Sequence, residues 1–279
     1  MTQTSFALTN RHGDVIRGNV HVPDAAVNAP VLVIVHGFKG FKDWGAFPAI
    51  ADDFARNGIV TVRFNFSLNG IGDDDTVFTE LEKFRRNTYT RECEDLADVI
   101  DRLVEGDLLP AGADRSHIAL LGHSRGGGIA LLHASRDRRV RAVAAWASVS
   151  TFDRWGPQLK AQWRERGLLE VMNQRTKQKM PLGLELLEDF ERNHDTLDVP
   201  RAVSRLTIPL LIVHGEQDVS VPVEEAHVLR DAADPASTTL HIIPAADHVF
   251  GAQHPYAGMP DLMQQAIDRT RDWLRSALR

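Results

Sequence analysis

His117-Ile118-Ala119-Leu120-Leu121-Gly122-His123-Ser124-Arg125-Gly126-Gly127-Gly128-Ile129-Ala130-Leu131-Leu132 joins two apolar runs through a turn of small residues around a serine. The spacing predicts a strand over His117–Leu121 and a helix over Gly126–Ser135. Residues Gly122 to Gly126 fit the pattern G-x-S-x-G, which is common by chance but specific where a strand ends and a helix begins. There the backbone is strained and crowded, so only small residues fit two before and two after the serine. Such a turn lifts the Ser124 hydroxyl clear of the sheet and sets it near the positive end of the next helix, where developing negative charge is favoured. The plainer alternative is a glycine-rich helix entry with a capping serine.

Working outward, the same strand–helix unit recurs. Val31–Val35 is a continuous β-branched and aliphatic run, as expected of a strand covered on both faces, and a helix follows over Phe47–Arg56. Ile59–Phe66 then reads as strand, Thr90–Val104 as helix and Val140–Ala147 as strand. After an interruption come the strand Pro209–His214, a helix over Val223–Ala232, the strand Thr239–Ile243 and a helix over Asp261–Leu278. Phe6–Val22 reads as two short strands around the turn-forming Arg11-His12-Gly13-Asp14. The alternation predicts a mostly parallel sheet flanked by helices, with antiparallel edge strands from the leading hairpin. The interruption, residues 151–205, shows no comparable strand. It carries Trp155, Leu159 and Trp163 at helical spacing, Pro181 and the run Leu184–Phe190, and is expected to be a small helical cap over the sheet's ligand-binding edge, with residues 1–150 and 206–279 as the core.

A serine hydroxyl is a weak nucleophile and needs a base and a group that orients the base. Asp218 follows the strand Pro209–His214, and His248 follows the next strand, so both fall at the sheet edge that carries Ser124. Among 12 histidines, His254 is the rival base, and Glu216 and Asp247 are the rival acids. His36 and His123 are expected to shape the site, and His214 and His241 to be hydrogen-bonded strand residues. Two backbone amides must hold the oxyanion. Arg125, directly after the nucleophile, supplies one candidate, and Phe38 in the loop His36-Gly37-Phe38-Lys39-Gly40 supplies the other.

In this order of serine, acid and histidine the sequence resembles the α/β-hydrolase superfamily over nearly its whole length. The His-Gly-Phe loop, the Gly-His-Ser-x-Gly-Gly turn and the mid-chain insertion are similar to the dienelactone-hydrolase-like and cinnamoyl or feruloyl esterase branch. Dienelactone hydrolases carry a cysteine nucleophile where this chain has Ser124, which speaks against that activity. Acyl-peptidases and serine aminopeptidases share the core motifs.

The whole-chain properties narrow the partners. The 279 residues are 43% hydrophobic and 25% charged, an ordinary globular composition, and the net charge of -6 argues against a nucleic-acid binder. The longest apolar runs, Val31–Val35 and Pro209–Val213, are too short to cross a bilayer, and the breaker-rich Asn69–Asp75 is too short to separate domains. The N-terminus lacks a secretory pattern and Cys93 cannot form an internal disulfide, so the expected compartment is cytoplasmic. No phosphate loop, dinucleotide motif or metal-ligand spacing occurs, so no cofactor and no metal are expected. The insertion is rich in cations from Arg154 to Lys179, read as a solvated face or as a lure for an acidic substrate. Trp155, Leu159, Trp163 and Met172 either line an acyl pocket or seat the cap. The expected activity is hydrolysis of a small or aromatic acyl ester, with an acyl-peptidase or aminopeptidase as the alternative and a non-catalytic binding protein as a more distant one; a homodimer is left open.

Overall fold

The computed structural model describes residues 1–72 and 76–278; part of the Asn69–Asp75 stretch therefore lies outside the described residues. The chain opens with β1 (Thr2–Thr9) and β2 (Val15–Val22), an antiparallel hairpin. There follow β3 (Ala29–Val35), α1 (Phe47–Arg56), β4 (Val60–Phe64), α2 (Leu81–Arg85), α3 (Tyr89–Glu105), β5 (Ala113–His123), α4 (Arg125–Ala134) and β6 (Val140–Trp146). Beyond an inserted segment come α7 (Val199–Val203), β9 (Leu210–Gly215), α8 (Val223–Ala232), β10 (Thr238–Ile243) and α9 (Asp261–Ala277). One eight-stranded sheet runs β1-β2-β4-β3-β5-β6-β9-β10, antiparallel at β1, β2 and β4 and parallel from β4 to β10. This is the α/β-hydrolase fold.

The continuous apolar strands exist because the sheet is covered twice. On β3, Val31, Val33 and Val35 point into one core with Leu96, Val99 and Ile100 of α3 and Ala226 and Leu229 of α8. Leu32 and Ile34 point the other way, against Phe47, Ile50 and Phe54 of α1 and Met263, Ala266 and Ile267 of α9. Successive side chains on a strand face opposite sides, so a strand packed on both needs apolar residues at every position. Every residue of α4 is buried, which holds the helix after Ser124 in one position against β5 and β6.

The segment between β6 and α7 differs from the expected helical cap. It contains α5 (Pro157–Arg166) and α6 (Leu184–Arg192), but between them β7 (Leu168–Asn173) and β8 (Gln178–Gly183) pair as an antiparallel hairpin. Leu, Glu, Met, Gln and Lys favour helix in isolation, so local propensity pointed away from a strand. Tertiary packing overrides it: Met180 and Leu182 on β8 are buried in the same core as the sheet, and Trp163 of α5 is 1% exposed with its indole N–H donating to Leu182 O at 3.1 Å. Trp155 and Trp163 meet edge to face at 5.6 Å. Their stripe therefore seats the insertion. Among the described residues no helix is long and apolar enough to cross a membrane.

Candidate active site

The turn between β5 and α4 places Ser124 in the left-handed region, at φ 58°. Its N–H donates to Trp146 O on β6 at 2.9 Å, and its carbonyl accepts from Gly127 N and Val149 N, so neighbouring strand and helix over-determine a conformation that L-residues otherwise avoid. The flanking glycines are required by space. A Cβ on Gly126 would lie 2.3 Å from Val35 O and 2.4 Å from His36 O, and one on Gly122 would lie 2.3 Å from Gly126 O. On the facing loop, a Cβ on Gly37 would come within 2.9 Å of Ser124 Cβ, so this glycine lets the Phe38 loop approach the serine.

His248 and Asp218 arrive from the loops after β10 and β9. His248 Nε2 lies 3.0 Å from Ser124 Oγ, and His248 Nδ1 lies 2.7 Å from Asp218 Oδ2. Asp218 Oδ1 accepts from the backbone of Ser220 at 2.8 Å and Val221 at 2.9 Å. Burial alone would raise this carboxyl, but hydrogen bonds from His214 and His248, the charge of His248 and the Val221 amide together hold it well below the usual carboxylate range. The rivals are engaged elsewhere. Glu216 accepts from Ala245 N, Asp247 accepts from Val249 N and Gly251 N in its own turn, and His254 Nδ1 accepts from Gly45 N while its ring stacks on Trp44.

Two further histidines brace these loops. His123 Nε2 lies 2.9 Å from the carbonyl of His248, which fixes the backbone of the loop that delivers the imidazole. Desolvation and the neighbouring His248 hold His123 down to about 3. Buried His36 accepts from Phe66 N through Nε2 and donates from Nδ1 to Gly37 O, and burial holds it down to about 4, so it stays neutral and tethers the Phe38 loop. His214 is fully buried and bonded to Val221 O, as expected; His241 is only half-buried on the edge strand.

Arg125 directly follows Ser124 and Phe38 lines the same cleft, and the amide of neither has a hydrogen-bond acceptor among the described residues. Sequence spacing did not reveal the Arg125 side chain's part. Its guanidinium lies 4.1 Å from the Phe38 ring centroid and 4.9 Å from that of Tyr89, and Nη1 is 3.4 Å from Glu92 Oε1. Burial raises the Glu92 carboxyl above its ordinary value despite this partner and the Asn87 amide. The cleft above Ser124 has a volume of about 260 Å³, at the small end for ligand sites, and Phe38, Trp44, Phe47 and Val249 supply its apolar side chains. Trp155, Leu159, Trp163 and Met172 do not line it. Of the seven cations from Arg154 to Lys179, four are paired: Arg154 with Glu225, Lys160 with Asp153, Arg164 with Glu191 and Lys179 with Glu170. Arg175, one of the cations that the sequence offered as a lure for an acidic substrate, lies in the turn after β7 and lines the cleft.

The comparisons agree with this architecture. A model described as "Alpha/beta hydrolase family" matches residues 32–260. Among solved structures the chain is similar to a putative hydrolase from Agrobacterium vitis S4, at 21% identity over 100% of both chains and a TM-score of 0.74. It is also similar to Est1E from Butyrivibrio proteoclasticus with ferulic acid bound, at 19% identity over 98% of each chain and a TM-score of 0.73. A puromycin-hydrolyzing peptidase of Mycobacterium tuberculosis resembles it at 18% identity over 99% of this chain and 39% of that one, with a TM-score of 0.68. No curated protein matches the sequence. The family match spans most of the chain and takes in the parallel part of the sheet from β3 to β10 with the Ser124 turn, and the chain belongs to the alpha/beta hydrolase family.

Proposed function

We propose that the protein is a serine esterase acting through Ser124, His248 and Asp218, with a small or aromatic acyl ester as substrate. The observation that carries this reading is the hydrogen-bonded series Ser124 Oγ, His248 and Asp218, at 3.0 and 2.7 Å, on a cleft beside two unengaged amides. His248 takes the Ser124 proton as the hydroxyl attacks the ester carbonyl, and returns it to the departing alcohol. The Phe38 and Arg125 amides hold the tetrahedral oxyanion, and Asp218 fixes the imidazole and stabilises its cation. Water activated by the same His248 then releases the acid. The residues present need no metal or cofactor for these steps.

Ester rather than aminopeptidase substrate is favoured by the lining of the cleft. An aminopeptidase must hold a free ammonium group, which calls for a carboxylate near the nucleophile. None of the described residues lining the cleft carries one. Glu185 pairs with Arg85, Asp189 accepts from Thr90 N and Glu191 pairs with Arg164, so three of the four acids of α6 hold structure together. Est1E, seen with an aromatic acid, supports the acyl class. Kinetics on a panel of short-chain and aromatic acyl esters against aminoacyl anilides tests it. The expected kcat/KM on esters exceeds that on anilides by about a hundredfold, roughly 2.7 kcal/mol in transition-state stabilisation. Equal cleavage of anilides, abolished by acetylating their amine, would transfer the assignment to an aminopeptidase.

A further inference from the structure

The turn of the β7–β8 hairpin lines the same cleft as Ser124 and His248, and it carries hydrogen-bond donors that the fold leaves unused. Asn173 is 5% exposed. Its Oδ1 accepts from Arg175 N at 3.2 Å and Thr176 N at 3.5 Å, which fixes the amide and leaves Nδ2 buried with no partner. Both Nη1 and Nη2 of Arg175 are likewise buried without a hydrogen bond among the described residues, and the guanidinium lies 5.3 Å from the centre of the Phe41 ring. The Thr176 hydroxyl in the same turn is buried without a partner too, and so is one acceptor, Gln178 Oε1 at the start of β8, so donors outnumber acceptors among the unsatisfied groups there. Buried polar groups are normally paired, and an exception calls for an explanation.

The charges around the turn say what would pair them. Lys39, on the loop that carries Phe38, adds a second cation to the cleft; its Nζ spends one proton on Met172 O at 3.2 Å. Desolvation lowers Lys39, and the positive charges of Arg125 and Arg175 lower it further, while nothing negative opposes them. Desolvation lowers Arg175 too. A chain of net charge -6 has placed two cations in its cleft without an acid among the described residues lining it, whereas four neighbouring cations of the insertion have carboxylate partners. A planar carboxylate, presenting two oxygens to the paired Nη groups, matches this set in charge and shape.

We propose that Asn173 and Arg175, with Lys39, form a carboxylate-binding subsite, so that the preferred substrates are esters bearing a second, free carboxylate. The proposal rests on the ester-hydrolase reading of the same cleft. It names the half of the substrate that does not react, held by the hairpin turn while Ser124 attacks the ester. Binding energy from such a remote group serves to position the reacting carbonyl.

The test compares monoethyl adipate with ethyl hexanoate, the neutral ester of equal acyl length, and butyryl glycolate with ethyl butyrate, in wild type and Arg175→Gln. The first pair puts the carboxylate on the acyl side and the second on the alcohol side. Wild type is expected to favour the anionic member of at least one pair by about tenfold or more in kcat/KM, mainly through KM, with the ratio shrinking as salt is raised. In Arg175→Gln the ratio falls to about one. A wild-type ratio near or below one in both pairs, or an equal loss on charged and neutral esters in the variant, overturns the subsite while leaving the esterase reading standing. If wild type turns over no ester, the esterase reading fails by itself. Calorimetric titration with monoethyl adipate then decides the subsite: binding by wild type that is lost in Arg175→Gln supports it, and no binding by wild type overturns it.

Discussion

The guanidinium of Arg125 lies 4.1 Å from the centre of the Phe38 ring, so the residue after the nucleophile grips the loop across from it. In the proposed mechanism one residue thereby offers its backbone amide to the oxyanion and uses its side chain to hold the loop that offers the other. The grip is anchored in the interior, because Tyr89 packs on the same guanidinium and buried Glu92 pairs with it. An oxyanion donor displaced by a fraction of an ångström loses much of its value, since the charge it serves exists only in the transition state.

This arrangement predicts that Arg125→Leu has two separable effects. Leaving buried Glu92 without its cation, with only the Asn87 amide still donating to it, costs about 3 kcal/mol of stability, read by urea unfolding. Loosening the Phe38 loop lowers kcat about tenfold with little change in KM. In Arg125→Leu/Glu92→Leu the stability returns but the slow turnover persists. If the double variant recovers both, Arg125 acts on stability alone.

Asp218→Asn is expected to lower kcat by about a thousandfold or more while the far-UV and near-UV spectra stay native, because the amide favours the wrong imidazole tautomer. His248→Ala is expected to fall by a comparable factor, and the two together by little more than either, as members of one unit do. Near-normal turnover in Asp218→Asn would contradict the assignment of the acid.

Buried His36 gives the fold a pH dependence. Its imidazole is held down to about 4, below the ordinary 6.5, so the unfolded chain takes up this proton first as pH falls. The neutral form's contribution is therefore complete above about pH 6.5 and is lost as pH drops toward 4, by on the order of 1.4 kcal/mol per pH unit. Unfolding free energies of wild type and His36→Gln, measured from pH 7 to pH 4.5, are expected to differ in slope by about one proton, the variant being flatter. Parallel slopes would contradict a neutral, buried His36.

Gly126→Ala is expected to destabilise the protein by about 3 kcal/mol or more, since the added methyl meets two backbone oxygens that belong to strand β3 and its loop and have nowhere to retreat. A variant with wild-type stability and activity would mean that the turn is less crowded than its geometry states.

What sequence spacing made legible was what lies at the ends of regular elements. The parallel strands β3, β5, β6 and β9 stand out as unbroken apolar runs because both their faces are covered, and Ser124, Asp218 and His248 are each found by following a strand to its carboxyl end. The β7–β8 hairpin was not legible. Leu168-Leu169-Glu170-Val171-Met172-Asn173 has no strong strand signature, and its conformation is imposed by Met180 and Leu182 entering the common core and by the Asn173 turn. The short helix α2 escaped for the same reason, since only Phe84 of its five residues is buried. Within the site, Trp44, Phe47, Asn173 and Arg175 come from segments far apart in sequence, and no local pattern records that they meet.

The central claim is that Ser124 is the activated nucleophile. Incubation with a fluorophosphonate, followed by intact-mass and peptide analysis, tests it most directly, because only a serine paired with a base attacks phosphorus quickly. The account predicts one adduct per chain, carried by Ser124 and absent from Ser124→Ala; an adduct on another residue, or labelling that persists in Ser124→Ala, would contradict it.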